Sequence, residues 1–178
     1  MDWEMALEIA NHKKAQKKIT EALLVYVGIH VGLRFSDLRT LTFYDLLNEN
    51  GVILISEKKT QKKRKIVLKE EARKWIKECM LIKKASIEDH ILVNRTKEPI
   101  SITYANYILK DIEKEYGISH PVSTHSLRKT FGRRVYDLEP SEQRLLLLSD
   151  MFNHSTIRDT RRYLGIRQEE MNEIYLNL

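Results

Sequence analysis

Apolar positions recur at helical spacing along most of the chain, and one short stretch breaks that rhythm. Trp3, Ala6, Leu7 and Ala10 predict a first helix over residues 2–16, which ends in basic residues. Residues 19–32 form a second, more apolar helix. Ser36 is placed to cap a helix carrying Leu38, Leu41 and Tyr44 or Asp45. Asn48 to Gly51 is a turn signal. The runs Val52–Ser56 and Lys65–Leu68 are of β type, and the lysine-rich segment between them makes a hairpin with a long charged tip. Residues 69–84 are amphipathic, with Ala72, Trp75, Ile76, Cys79 and Met80 on one face, and His90 to Val93 is a candidate short strand. Ser101 caps a helix over 101–116. Further helices follow over Thr124–Asp137, from Pro140 through Met151, from a Ser155 cap through Leu164, and over 167–176. The fold class is mainly α with a small antiparallel β-sheet.

Composition narrows the class. The chain has 178 residues, of which 42% are hydrophobic and 31% charged, which fits one globular domain with a real core. Six glycines and three prolines are few, in keeping with a helix-rich chain. The single cysteine, Cys79, has no internal disulfide partner and reads as a buried or half-buried thiol. The longest apolar stretch, Ala22 to Leu33, contains His30 and falls short of the ~20 residues of a spanning helix. With no secretory signal either, a membrane partner is excluded, and a cytoplasmic or nucleoid-associated protein is expected.

Charge points to a polyanionic partner. Lys plus Arg number 31 against 25 Asp plus Glu, a net +6, and the basic residues are clustered. Lys58 to Lys65 reads KKTQKKRK; Arg128, Lys129, Arg133 and Arg134 form a second cluster; Arg158, Arg161, Arg162 and Arg167 form a third. Acidic residues gather elsewhere, at Glu70 and Glu71, between Asp111 and Glu115, and at Glu169 and Glu170.

Four separated segments carry candidate chemistry. They are Gly32-Leu33-Arg34-Phe35-Ser36-Asp37-Leu38, Lys58-Lys59-Thr60, His125-Ser126-Leu127-Arg128, and Asn153-His154-Ser155 followed nine residues after His154 by Tyr163. In this order and spacing, over roughly residues 5–175, the chain resembles the catalytic domain of the tyrosine recombinases, or phage integrases. Each element alone is weak, and the ordered set is specific. The resemblance implies the fold of that catalytic domain, with residues 1–178 as a single such domain. It also implies that the N-terminal core-binding domain usual in the family is absent from this chain.

The resemblance implies a catalytic set of Arg34, Lys59, His125, Arg128, His154 and Tyr163. A phosphodiester under attack gathers negative charge on its non-bridging oxygens, and two guanidiniums, Arg34 and Arg128, answer it with paired donors. Tyr163 is the implied nucleophile; a phenol with a pKa of ~10 needs help to lose its proton, a role that falls on His125. His154 donates to the phosphate. Lys59 protonates the leaving 5′-oxygen, with Lys58, Lys62 and Lys63 as neighbouring candidates. Asn153 stands where the family commonly has Gly, and Asn tolerates left-handed backbone. Asp37 and Thr160 fall at family-like positions with structural roles: Asp37 holds the arginine or caps the helix, and Thr160 packs or hydrogen-bonds within its own helix. Lys58, Lys62, Lys63, Arg64, Lys129, Arg161 and Arg162 are expected to bind DNA phosphates. The chain shows no dense carboxylate set and no paired His/Cys spacing, so no metal and no cofactor are expected.

The implied activity is site-specific DNA recombination through a 3′-phosphotyrosyl link. The alternatives are a type IB topoisomerase-like enzyme, or a DNA-binding relative without turnover. The partner is double-stranded DNA. Met171, Ile174, Tyr175 and Leu178 form an apolar stripe at the chain end. It either docks on a neighbouring protomer in a homotetramer on DNA or folds back on its own domain, and the free protein is compatible with a monomer.

Overall fold

The computed structural model describes residues 1–56 and 63–178, with residues 167–170 described as backbone only. It is mostly helical, with one two-stranded antiparallel sheet. The chain divides into two compact units, Met1–Arg128 and Lys129–Leu178.

The first unit is built around one apolar helix. In order come α1 (Trp3–Ala15), α2 (Ile19–Val31), α3 (Phe35–Leu38), α4 (Phe43–Leu47), β1 (Val52–Ser56), β2 (Lys63–Val67), α5 (Glu70–Lys83), α6 (Ile102–Glu115) and the start of α7 (Thr124–Leu138). Ten of the thirteen residues of α2 are buried. A helix apolar on all sides has to be surrounded, and α2 is the centre of this core. Ala6, Ile9 and Ala10 of α1, Ala72, Ile76 and Cys79 of α5, and Ala105, Leu109 and Ile112 of α6 belong to the same cluster. Cys79 is fully buried, and burial pushes its thiol up to about 12, in line with an inert core role.

A buried ion cluster ties α1 down. Lys13 is 1% exposed, and its Nζ lies 2.7 Å from Glu115 on α6 and 3.0 Å from Glu21 on α2. Burial pulls the ammonium's pKa down, and the two carboxylates more than offset this, so Lys13 titrates above its ordinary value. Next to this cluster, Trp75 Nε1 donates to Asn11 Oδ1 at 2.8 Å, and the Trp75 ring stacks on Tyr26 at 3.8 Å. Tyr26 in turn stacks on His30.

The second unit contains the rest of α7, α8 (Glu142–Phe152), α9 (Ile157–Leu164) and α10 (Ile166–Leu176). Leu145, Leu148, Phe152, Leu164 and Ile166 form its core, with Phe131, Val135 and Tyr163 packed against them. Gly132 lets α7 approach closely. A Cβ there would stand 2.7 Å from the Phe152 ring and 2.8 Å from Leu164 Cδ2.

Most expected elements are present, and three details differ. The helix expected from Ser36 is two short ones, α3 and α4. Arg34, with extended backbone, holds the cap position of α3, and Ser36 is exposed within that helix. The break has a local cause: the extended Thr42 starts α4 with a capping box to Asp45. The cap of α9 is Thr156, whose side chain accepts from Asp159 N–H, and not Ser155. Residues His90 to Val93 make only isolated bridges, Thr42 to His90 and Val93 to Pro99. Ser101 does cap α6, accepting from Tyr104 N–H. Among the described residues no helix is long and apolar enough to cross a membrane.

The Lys13 cluster yields a pH prediction. The hydrogen bond from Lys13 holds the Glu115 carboxyl below its ordinary value. A depressed folded pKa contributes stability above the unfolded value that is lost as pH falls through the folded one. Wild type is therefore more stable than Glu115→Gln near neutral pH, and the gap closes in acid. Urea denaturation of both proteins at pH 7 and at about pH 3, below the carboxylate range, measures this directly.

Candidate active site

In the first unit, the candidate residues converge on the end of α2. Gly32 terminates that helix in the left-handed region, at φ 58° and ψ 28°, where a Cβ is disfavoured. The turn puts the Gly32 carbonyl at the side chain of Arg128, whose Nη1 donates to it at 2.7 Å. Arg128 is 4% exposed, so its charge sits in a protein-lined environment where a fixed partner matters. Arg34 lies two residues beyond Gly32, at the extended cap of α3 and half-buried. Leu33 and Phe35 on either side of it are buried and fix the segment. The Gly32–Arg128 bond thus brings the guanidinium of α7 to the turn that carries Arg34.

The start of α7 is held from several directions. Thr124 N–H donates to Asn106 Oδ1 of α6 at 3.0 Å, and Val122 N–H donates to Glu113 at 2.7 Å. Ser123 N–H donates to Ser126 Oγ at 3.0 Å. Leu127 packs on Gly28, where a Cβ would stand 2.8 Å from Leu127 Cδ1. His125 is exposed one turn before Arg128, a spacing that puts the two on neighbouring positions of one helix face. Asp37, the acidic position after Arg34, is buried, and its carbonyl accepts from Thr40 Oγ1.

In the second unit, His154 and Tyr163 are in ring contact, with centroids 5.2 Å apart at 71°. Phe152 packs edge-on against both, at 5.4 Å from His154 and 5.6 Å from Tyr163. Asn153 ends α8 in the left-handed region at φ 54° and ψ 49°, as its tolerance for that geometry predicts. The turn aims His154 N–H at the Ser149 carbonyl, at 3.0 Å. His154 Nδ1 and Thr160 Oγ1 are 2.9 Å apart. Thr160 is fully buried, as its expected packing role requires, and its hydroxyl reaches out of its own helix to His154. Through that bond it fixes which way the imidazole faces. Tyr163 itself is half-buried on α9.

The expected DNA contacts divide by position. Lys58, Lys59 and Lys62 lie outside the described residues. Lys63 is exposed and Arg64 half-buried on β2, Lys129 and Arg162 are exposed, and Arg161 is half-buried. Arg162 also approaches Asp159 at 3.6 Å. Several positioning groups escape sequence reasoning. Asn106, Glu113 and Ser149 are single polar residues on helices, with no motif around them, and only the fold shows their backbone partners.

The comparisons with known proteins identify the family. The phage integrase family model matches residues 2–170, and the chain belongs to that family, the tyrosine recombinases. It is 33% identical over 161 residues to the probable integrase/recombinase YoeC of Bacillus subtilis, covering 89% of this chain and 84% of that protein. It is 25% identical over 166 residues to the tyrosine recombinase XerC of Staphylococcus epidermidis strain RP62A, covering 91% of this chain. The chain spans about half the length of that relative, 54%. Among solved structures, it resembles the site-specific recombinase XerH bound to its difH substrate, with a TM-score of 0.69 and 23% identity. That match covers 97% of this chain and 51% of the other, and shows the shared fold.

The His154–Thr160 bond is open to test. Thr160→Val keeps the volume and removes the hydroxyl, and is expected to lower stability by about 1 kcal/mol. Thr160→Ser is expected to retain most of it. Urea denaturation measures the loss, and the imidazole NMR signals of His154 should move in the Val variant and stay near wild type in the Ser variant.

Proposed function

We propose that residues 1–178 act as a tyrosine recombinase catalytic domain, cleaving and rejoining DNA strands through a 3′-phosphotyrosyl intermediate. The observation that carries the reading is the buried guanidinium of Arg128, bonded to Gly32 at the turn that bears Arg34. Two cations fixed at one turn suit a phosphate whose charge rises in the transition state. Preorganised donors of this kind are worth about 3–4 kcal/mol each. The anchored Arg128 fork then has a set direction, where a lysine would offer a rotating point charge.

In this reading Tyr163 Oη attacks the phosphorus and the 5′-oxygen leaves. His125, exposed on the first turn of α7, takes up the phenolic proton. Lys59 gives a proton to the leaving oxygen. His154, oriented by Thr160, donates to a non-bridging oxygen and holds the Tyr163 ring by contact. The reverse attack, by a 5′-hydroxyl of a partner strand, releases the enzyme. Bond energy stays in the ester, so no nucleotide is consumed.

The DNA partner is supported by family membership, by the net charge of +6, and by the solved complex of XerH with its difH substrate. Lys58, Lys62, Lys63, Arg64, Lys129, Arg161 and Arg162 supply phosphate contacts, so affinity falls steeply with salt. Assembly of a homotetramer on DNA through α10 is supported by its exposed apolar residues, with Ile174 62%, Tyr175 73% and Leu176 84% exposed. In this reading the protein works at the nucleoid.

The test is covalent trapping. Wild type mixed with a pool of nicked duplexes is expected to give an SDS-resistant protein–DNA adduct. Tyr163→Phe should bind the same duplexes and give none. An adduct that persists in Tyr163→Phe removes Tyr163 as the nucleophile.

A further inference from the structure

The outer edge of β1 has the geometry of a strand-docking site. Leu68 N–H donates to the Gly51 carbonyl at 3.3 Å, and the register pairs Ile53 with Ile66 and Leu54 with Lys65. Bonded and non-bonded pairs alternate in an antiparallel ladder. The backbone groups of Ile53 and Ile55 therefore point to β2, and those of Val52 and Leu54 point away from it. At Val52 the outward groups are already met. Asn48 stands in for a neighbouring strand, with Oδ1 accepting from Val52 N–H at 3.2 Å and Nδ2 donating to the Val52 carbonyl at 2.8 Å. At Leu54, one step along, the sheet has no third strand among the described residues.

The surroundings of Leu54 specify what fits. It opens on a groove of about 1120 Å³, where Leu54 is 77% and Tyr44 62% exposed, and Ile87 adds to the apolar wall. The rim is acidic. Glu49 and Glu88 are exposed there against one lysine, Lys65, while the Asp45 carboxylate is engaged with Thr42. In a chain of net +6 this groove is a poor place for phosphates. Two copies meeting edge to edge would bring like-charged rims together. A basic, extended apolar segment meets both the charge and the open backbone.

We propose that the Leu54 edge of β1 docks, by strand addition, an extended segment of another protein in which apolar residues alternate with lysine or arginine. The proposal is independent of the recombination chemistry. The probe is a fluorescent KVKVKV peptide, read by anisotropy, with EVEVEV as its charge-reversed counterpart. Leu54→Pro removes the outward N–H and leaves the bonds to β2 in place. Glu49→Lys/Glu88→Lys reverses the rim. Each variant's fold is checked by circular dichroism. KVKVKV should bind wild type, and each variant should bind at least tenfold more weakly; EVEVEV should not bind. Equal binding to wild type and Leu54→Pro would overturn the edge, and equal binding of the two peptides would overturn the rim. No binding of KVKVKV to wild type overturns the proposal outright. Displacement of the peptide by duplex DNA would give the groove to DNA. Self-association of wild type that Leu54→Pro abolishes would give it to a second copy.

Discussion

The hydrogen bond between Arg128 and the Gly32 carbonyl is the constraint on which the candidate residues of the first unit depend. A guanidinium this deeply buried needs fixed acceptors, since an unmatched buried charge is strongly disfavoured. The carbonyl is available because Gly32 turns the chain out of α2 in a left-handed conformation. That turn also delivers Arg34. Gly28 lets Leu127 lie close against α2, and Asn106 and Glu113 hold the chain just ahead of Arg128. Remote helices are thereby converted into a fixed position for one side chain.

The candidate residues of the second unit follow the same logic with weaker forces. His154 leaves α8 through a left-handed Asn and is oriented by a buried threonine, and its ring meets Tyr163 and Phe152 edge to face. Contacts of that kind are worth about 0.5–1.5 kcal/mol beyond the area they bury. Tyr163, on a short helix and held by aromatic packing, is positioned without being locked. That suits the proposed role, in which it is joined to DNA and then released.

Much of this was legible in the sequence, for identifiable reasons. α2 reads as buried because nearly every residue in it is apolar, and Ser101 reads as a cap because the helical pattern begins right after it. The ordered Arg, His-x-x-Arg, His and Tyr segments identify the family without any structure. What escaped depends on contacts between distant residues or on choices between equals. Ser155 and Thr156 are both good caps, and the geometry of the turn selects Thr156. Ser36 has the right chemistry for a cap, yet Arg34 has the extended backbone. The link from Thr160 to His154 and the role of Asn48 in imitating a strand leave no periodic signal.

The central claim is that Arg128, anchored on Gly32, answers phosphate charge. The direct measurement compares cleavage by wild type and Arg128→Ala on two duplexes, one with a normal scissile phosphate and one with a neutral methylphosphonate there. Removing the phosphate charge removes the need for the cation. The deficit of Arg128→Ala, expected to be about a hundredfold or more on the normal duplex, should shrink sharply on the neutral one. An equal deficit on both substrates would contradict the claim and leave Arg128 as a structural residue.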